Sequence, residues 1–75
     1  MSLASKQTDD LVRIVEAGGG LTLDASNRST DDLVLIAEAA ASSDARVTFR
    51  KVGGRDTDEL VLIAEAGGGN VGFVD

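Results

Sequence analysis

The chain contains no cysteine, histidine, tryptophan or tyrosine, and only two phenylalanines among its 75 residues. Without Cys there is no disulfide, no thiolate metal site and no thiol redox chemistry. Without His, the commonest transition-metal ligand and the usual neutral-pH acid–base group are both missing. No apolar run approaches the roughly 20 residues that span a bilayer. The first residues lack the charged start and long apolar stretch of a secretory leader. Basic residues are also scarce, 7 against 13 acidic for a formal net charge of −6. That balance argues against nucleic acid and anionic membrane as partners, because both require positive charge. The expectation is a cytoplasmic protein with no cofactor and no metal.

What remains is aliphatic. A core must come from Leu, Val, Ile and Ala, and a chain this short lies near the limit for a self-sufficient fold. A single domain over 1–75 is expected. With neither disulfides nor a metal to staple it, association with a second copy becomes an expectation in itself.

One phrase is written three times: "QTDDLVRIVEAGGG" at 7–20, "STDDLVLIAEAAA" at 29–41 and "DTDELVLIAEAGGG" at 56–69. Thr8, Thr30 and Thr57 are equivalent, so successive units are 22 and 27 residues long, over about 8–29, 30–56 and 57–75. Thr before an acidic pair reads as a helix start, its hydroxyl accepting from an orphan backbone N–H. Leu33, Ile36, Ala37 and Ala40 follow the i, i+3, i+4, i+7 spacing of a buried helical stripe. Leu11, Ile14 and Val15 begin that stripe in the first unit, and Leu60, Ile63 and Ala64 in the third. Glycines 18–20 and 67–69 stop the outer two helices. The middle unit has "AAASSDA" instead, which predicts a helix about one turn longer.

After each break comes a run alternating with period two: "LTLDA" at 21–25, "VTFRK" at 47–51 and "VGFVD" at 71–75. These read as strands with one apolar and one mostly polar face. The predicted order is αβαβαβ, an α/β fold of three tandem helix–strand repeats. Identical phases predict a small parallel sheet, and right-handed crossovers place the helices mainly on one face, in a solenoid-like stack. In that register Asp24 neighbours Arg50, with Val74 in the same row and Thr22, Thr48 and Gly72 in the row below. An exposed Asp24–Arg50 ion pair is expected.

The stretch "LTLDASNRSTDDLVLIAEA" (21–39) resembles one turn of a leucine-rich repeat of the helical, ribonuclease-inhibitor-like kind. Leu21, Leu23 and Asn27 fall near the places that motif uses, and the unit lengths lie in its range of about 20–29 residues. The resemblance implies a concave, protein-binding sheet.

Candidates for chemistry are few. The acidic pairs Asp9/Asp10, Asp31/Asp32 and Asp58/Glu59 suit a hard cation, but recurrence once per helix fits helix-start electrostatics better. The glycine runs follow helices instead of preceding them, the wrong polarity for cradling phosphate. Lys6, Lys51 and several serines have no His to activate them. Arg50, Lys51 and Arg55 form the one basic cluster, read as solvated charge.

The departure from pattern lies at Leu35 and Leu62, on the far side of the helix from the stripe, where the first unit carries Arg13. With Val34 and Val61 they form a candidate interface on the helical layer. Phe73 and Val74, on an edge strand, form a second, less favoured one. The functional expectation is a non-enzymatic module for protein–protein interaction or self-assembly. Its partner would be a second copy (a dimer first) or another protein. The alternative is a small-ligand or metal-binding domain or an enzyme using the acidic helix starts. A third reading takes the chain as a piece of a longer repeat array.

Overall fold

A computed structural model describes residues 6–74. Its elements are α1 (Thr8–Glu16), β1 (Leu21–Asp24), α2 (Thr30–Ser43), β2 (Val47–Arg50), α3 (Thr57–Gly67) and β3 (Val71–Val74). The fold is α/β, with three helices and a three-stranded parallel sheet in the order β1-β2-β3. Asp75, which the sequence pattern includes in the third strand, lies outside the described residues.

The register is the one the alternation dictates. Leu21, Val47 and Val71 form one row and Leu23, Phe49 and Phe73 another. Both rows face the core, whereas Thr22, Arg50, Gly72 and Val74 on the opposite face are exposed. A one-residue slip would have turned every apolar strand residue outward, and this fixes the pairing. α2 packs between α1 and α3. The largest fully buried side chains are Phe49, Leu11, Leu23, Leu33, Ile36, Ile63, Val15 and Val47. Each contributes roughly 1.5–3 kcal/mol of transfer free energy. Phe49 is the only aromatic at the centre, with Phe73 tilted against it at 6.3 Å between ring centroids.

The difference in unit length has two local causes. α2 runs for 14 residues against 9 and 11 in α1 and α3, and ends on Asp44 in the left-handed region at φ 62°. Alanines and serines tolerate the extra turn that glycines interrupt in the other units. The rest is Lys51, a residue added after β2 and also left-handed, at φ 61°. That kink absorbs the insertion, so Val52 still plugs the core as Ala25 does after β1.

Three expectations are corrected. The threonines are not caps: Thr8, Thr30 and Thr57 are the first helical residues, and Gln7, Ser29 and Asp56 hold the cap positions. Ser29 Oγ accepts from the Asp32 N–H at 3.2 Å, and the Glu59 carboxylate accepts from the Asp56 N–H at 3.3 Å. Secondly, the end helices bury less of the stripe than α2 does, leaving Ile14 and Ala64 exposed. Thirdly, Asp24 and Arg50 are register partners, but the carboxylate pairs with Lys51 Nζ at 3.6 Å. Ser26 takes Asp24 Oδ1 through both its backbone N–H (2.9 Å) and its hydroxyl (2.7 Å). This turns the other oxygen toward the kinked Lys51.

Candidate functional site

One pairing, an arginine with a helix-start threonine, joins successive helices twice. Arg28 Nη1 donates to Thr8 Oγ1 at 2.9 Å, and Arg55 Nη1 donates to Thr30 Oγ1 at 3.0 Å. Each arginine stands two residues before the first residue of the helix that follows it and reaches back to the start of the preceding helix. Both also donate to backbone carbonyls just before that helix: Arg28 to Lys6 at 2.5 Å, Arg55 to Ala25 at 2.8 Å and to Arg28. Thr30 passes the relay on, its hydroxyl donating to Glu59 Oε2 at 3.0 Å. Charge-assisted bonds of this kind are stronger than neutral ones. At the other end of the helices, Ser43 Oγ lies 2.7 Å from the Val15 carbonyl of α1, and Asn70 Nδ2 donates to the Ala40 carbonyl of α2 at 3.0 Å.

Apolar packing follows the same rule. Ile14, Ile36 and Ile63 are equivalent positions, yet Ile14 is 37% exposed while Ile36 and Ile63 are fully covered. Val15, Ala37 and Ala64 are equivalent too, and only Ala64 is exposed. Likewise Val12 and Val34 pack against the core while Val61 is exposed. Position 14 thus faces the preceding helix and positions 61 and 64 face the following one. They are exposed only in the two outer helices. The glycines agree: a Cβ on Gly67 would lie 3.7 Å from the Ala37 Cβ, and one on Gly68 would lie 3.4 Å from the Ala41 Cβ.

The six candidate interface residues therefore do not form one surface. Leu35 (49% exposed) and Leu62 (56% exposed) stand on the outer ridge of the helical layer at equivalent positions of adjacent helices. Val61 lies on the free side of α3. Val34 is partly buried against the core and does not widen the ridge. Phe73 faces the helices, half-buried at the sheet edge, and Val74 projects from the opposite, open face. Ile14 and Ala64 escaped the sequence pattern because the stripe assigns them to the interior. The seam arginines escaped as well, although a basic residue two before each threonine (Lys6, Arg28, Arg55) is a legible signal.

Surface clefts are lined by described residues in two places. One, of about 430 Å³, lies where strand ends meet helix starts and is lined by Ser26, Arg28, Lys51, Gly54, Arg55 and Glu59. Ligands of open parallel sheets bind in this region, but here Arg28 and Arg55 are committed to seam oxygens. The other, of about 450 Å³, runs along the free side of α1 and is lined by Lys6, Asp10, Arg13, Ile14 and Ala17. The acidic pairs stand at three separate helix starts, and among the described residues no three His, Cys, Asp or Glu side chains converge. Among the same residues no helix is long and apolar enough to cross a membrane.

No protein-family model, curated protein or solved structure matches this chain significantly.

Proposed function

We propose that the chain is a non-enzymatic α/β module of three tandem helix–strand units, stacked as a short solenoid, that works by protein–protein interaction and self-assembly. The observation that carries this reading is the apolar surface of the helical layer. Ile14, Leu35, Val61 and Leu62 are all exposed on a domain whose core is small and aliphatic. Grouped exposed apolar side chains, as Leu35 and Leu62 are on the ridge, mark interaction sites in soluble proteins, and Ile14 and Val61 add apolar surface on the free sides of α1 and α3. A second copy of the chain is the first partner, and the Leu35/Leu62 ridge is a surface left over for another protein.

Molar mass by light scattering across a wide concentration range tests the reading. A mass rising above the 7.7 kDa of one chain supports self-assembly. A mass of one chain at every concentration removes it.

A further inference from the structure

From the two seams inside the chain we infer that copies associate head to tail, the free side of α3 and β3 in one copy seating the free side of α1 and β1 in the next. This rests on the reading of the chain as a self-associating module and specifies its geometry. The occupant is a second copy because the chain already makes this interface twice, between units one and two and between units two and three. The third instance would use the same positions.

The apolar parts match. α3 offers exposed Val61 and Ala64, the positions that in α2 (Val34 and Ala37) are covered by the following unit. α1 offers Ile14 and Ala17 in the groove along its free side. Their equivalents Ile36 and Ile63, and Ala39 beside Ile36, are buried. The close approach of Ala37 to Gly67 becomes Ala64 to Gly18 of the next copy, again two small residues. The backbone matches as well. The Leu21 N–H donates to the Arg46 carbonyl and the Val47 N–H to the Asn70 carbonyl. The same step pairs the Val71 N–H with the Gly20 carbonyl of the next β1, and both strands are sheet edges among the described residues.

Charge is complementary. Arg55 clasps Thr30 and Arg28 clasps Thr8; Lys6 of the next copy is the equivalent residue for Thr57, beside Asp58. At 100° per residue, Glu65 stands on the outer margin of α3's free side and Arg13 on the outer margin of α1's. The mating surfaces thus bring Arg13 of one copy to Glu65 of the other. Both free sides belong to different surfaces, so the contact is heterologous and leaves a new free side at each end.

Mixing single-edge variants tests this. Ile14→Glu blocks the α1 side and Val61→Glu the α3 side, both at exposed positions, with folding checked by circular dichroism. Should either fail to fold, Ile14→Lys and Ala64→Lys replace the pair. The expected result is that the parent associates, each variant alone is a single chain, and the 1:1 mixture forms a dimer that grows no further. Leu35→Glu/Leu62→Glu is expected to associate as the parent does. If Val61→Glu is monomeric while Ile14→Glu still associates, the contact joins like surfaces, and head-to-tail stacking is overturned while self-assembly stands. Dissociation of the Leu35→Glu/Leu62→Glu variant alone overturns the stacking in the same way. A parent that never associates overturns both readings.

Discussion

Arg55 and Thr30 are joined across the seam between α2 and α3 by a 3.0 Å hydrogen bond, and Arg28 and Thr8 repeat that bond one unit earlier. The guanidinium of Arg55 also donates to two backbone carbonyls, so one half-buried side chain ties three oxygen atoms around the start of α2. Arg55→Ala is expected to lower unfolding stability by about 2 kcal/mol, the loss typical of charge-assisted bonds. Arg55→Lys should recover less than half of it, because an ammonium lacks the planar fork. Urea unfolding of the three proteins measures both. Equal stability of the Lys variant and the parent would show that charge alone holds the seam.

Gly67 is more tightly packed than Gly19, Gly20 or Gly68. An added Cβ would lie 2.3 Å from Val71 Cγ2 and 2.9 Å from its Cβ. Gly67→Ala should therefore destabilise by about 1–3 kcal/mol through overpacking, even though Ala is the better helix former. Gly54 is the matched control, with nothing within 4 Å of an added Cβ and no left-handed φ. Gly54→Ala is expected to leave stability unchanged or raise it by up to about 1 kcal/mol. Thermal melts of the two variants separate close packing from propensity.

The two phenylalanines occupy the same row but carry different weight. Phe49 is fully buried between neighbouring strands, whereas Phe73 is half-buried on the sheet edge. Phe49→Ala should cost about 3–5 kcal/mol, a large share of the roughly 4–11 kcal/mol expected for a domain of this size. Phe73→Ala should cost well under half as much. Urea unfolding at 25 °C would show the first variant with a much lower midpoint and the second with a midpoint close to the parent's. Similar losses in both would place Phe73 inside an interface already formed in solution.

Asp24 gives the fold a small acid dependence. Its pKa is held below the ordinary carboxylate value, chiefly by the Ser26 hydroxyl, then by the Ser26 backbone N–H, with a smaller contribution from the Lys51 charge. The folded value lies below the unfolded one. The stabilisation is therefore complete above the ordinary carboxylate range, near pH 4, and is lost as pH falls through the depressed value. A carboxyl-carbon NMR titration should show Ser26→Ala raising the Asp24 pKa more than Lys51→Ala does. The reverse order would make the ion pair the principal cause.

Element order, strand register and the longer middle helix were legible because repetition supplies three readings of each feature. Leu23, Phe49 and Phe73 share a row since their alternation has the same phase in every unit. What periodicity could not convey was which helix would lie in the middle of the layer and which at its sides. Ile14 and Ala64 satisfy the same stripe as Ile36 and Ala37, and they differ in having no helix beside them on one side among the described residues. The role of Thr8 and Thr30 was hidden for another reason. A hydroxyl at a helix start suits a cap, and only the fold brings an arginine from 20 or 25 residues away to claim it. Val34 likewise falls inside a seam that a single-helix projection treats as outer surface.

The helices lie on one side of the sheet, and this has a geometric consequence. Parallel strands stand about 4.8 Å apart, while packed helices need roughly 8–10 Å between axes. With layers roughly 10 Å apart, as for packed sheets, those spacings would make each helix–strand pair a wedge of roughly 25°. Three would turn through about 75°, so copies stacked as proposed would come full circle after roughly five. The open sheet face, with Thr22, Thr48 and Gly72 along one row, would then line the inner wall of a ring, and the leucine ridge would form its outer rim.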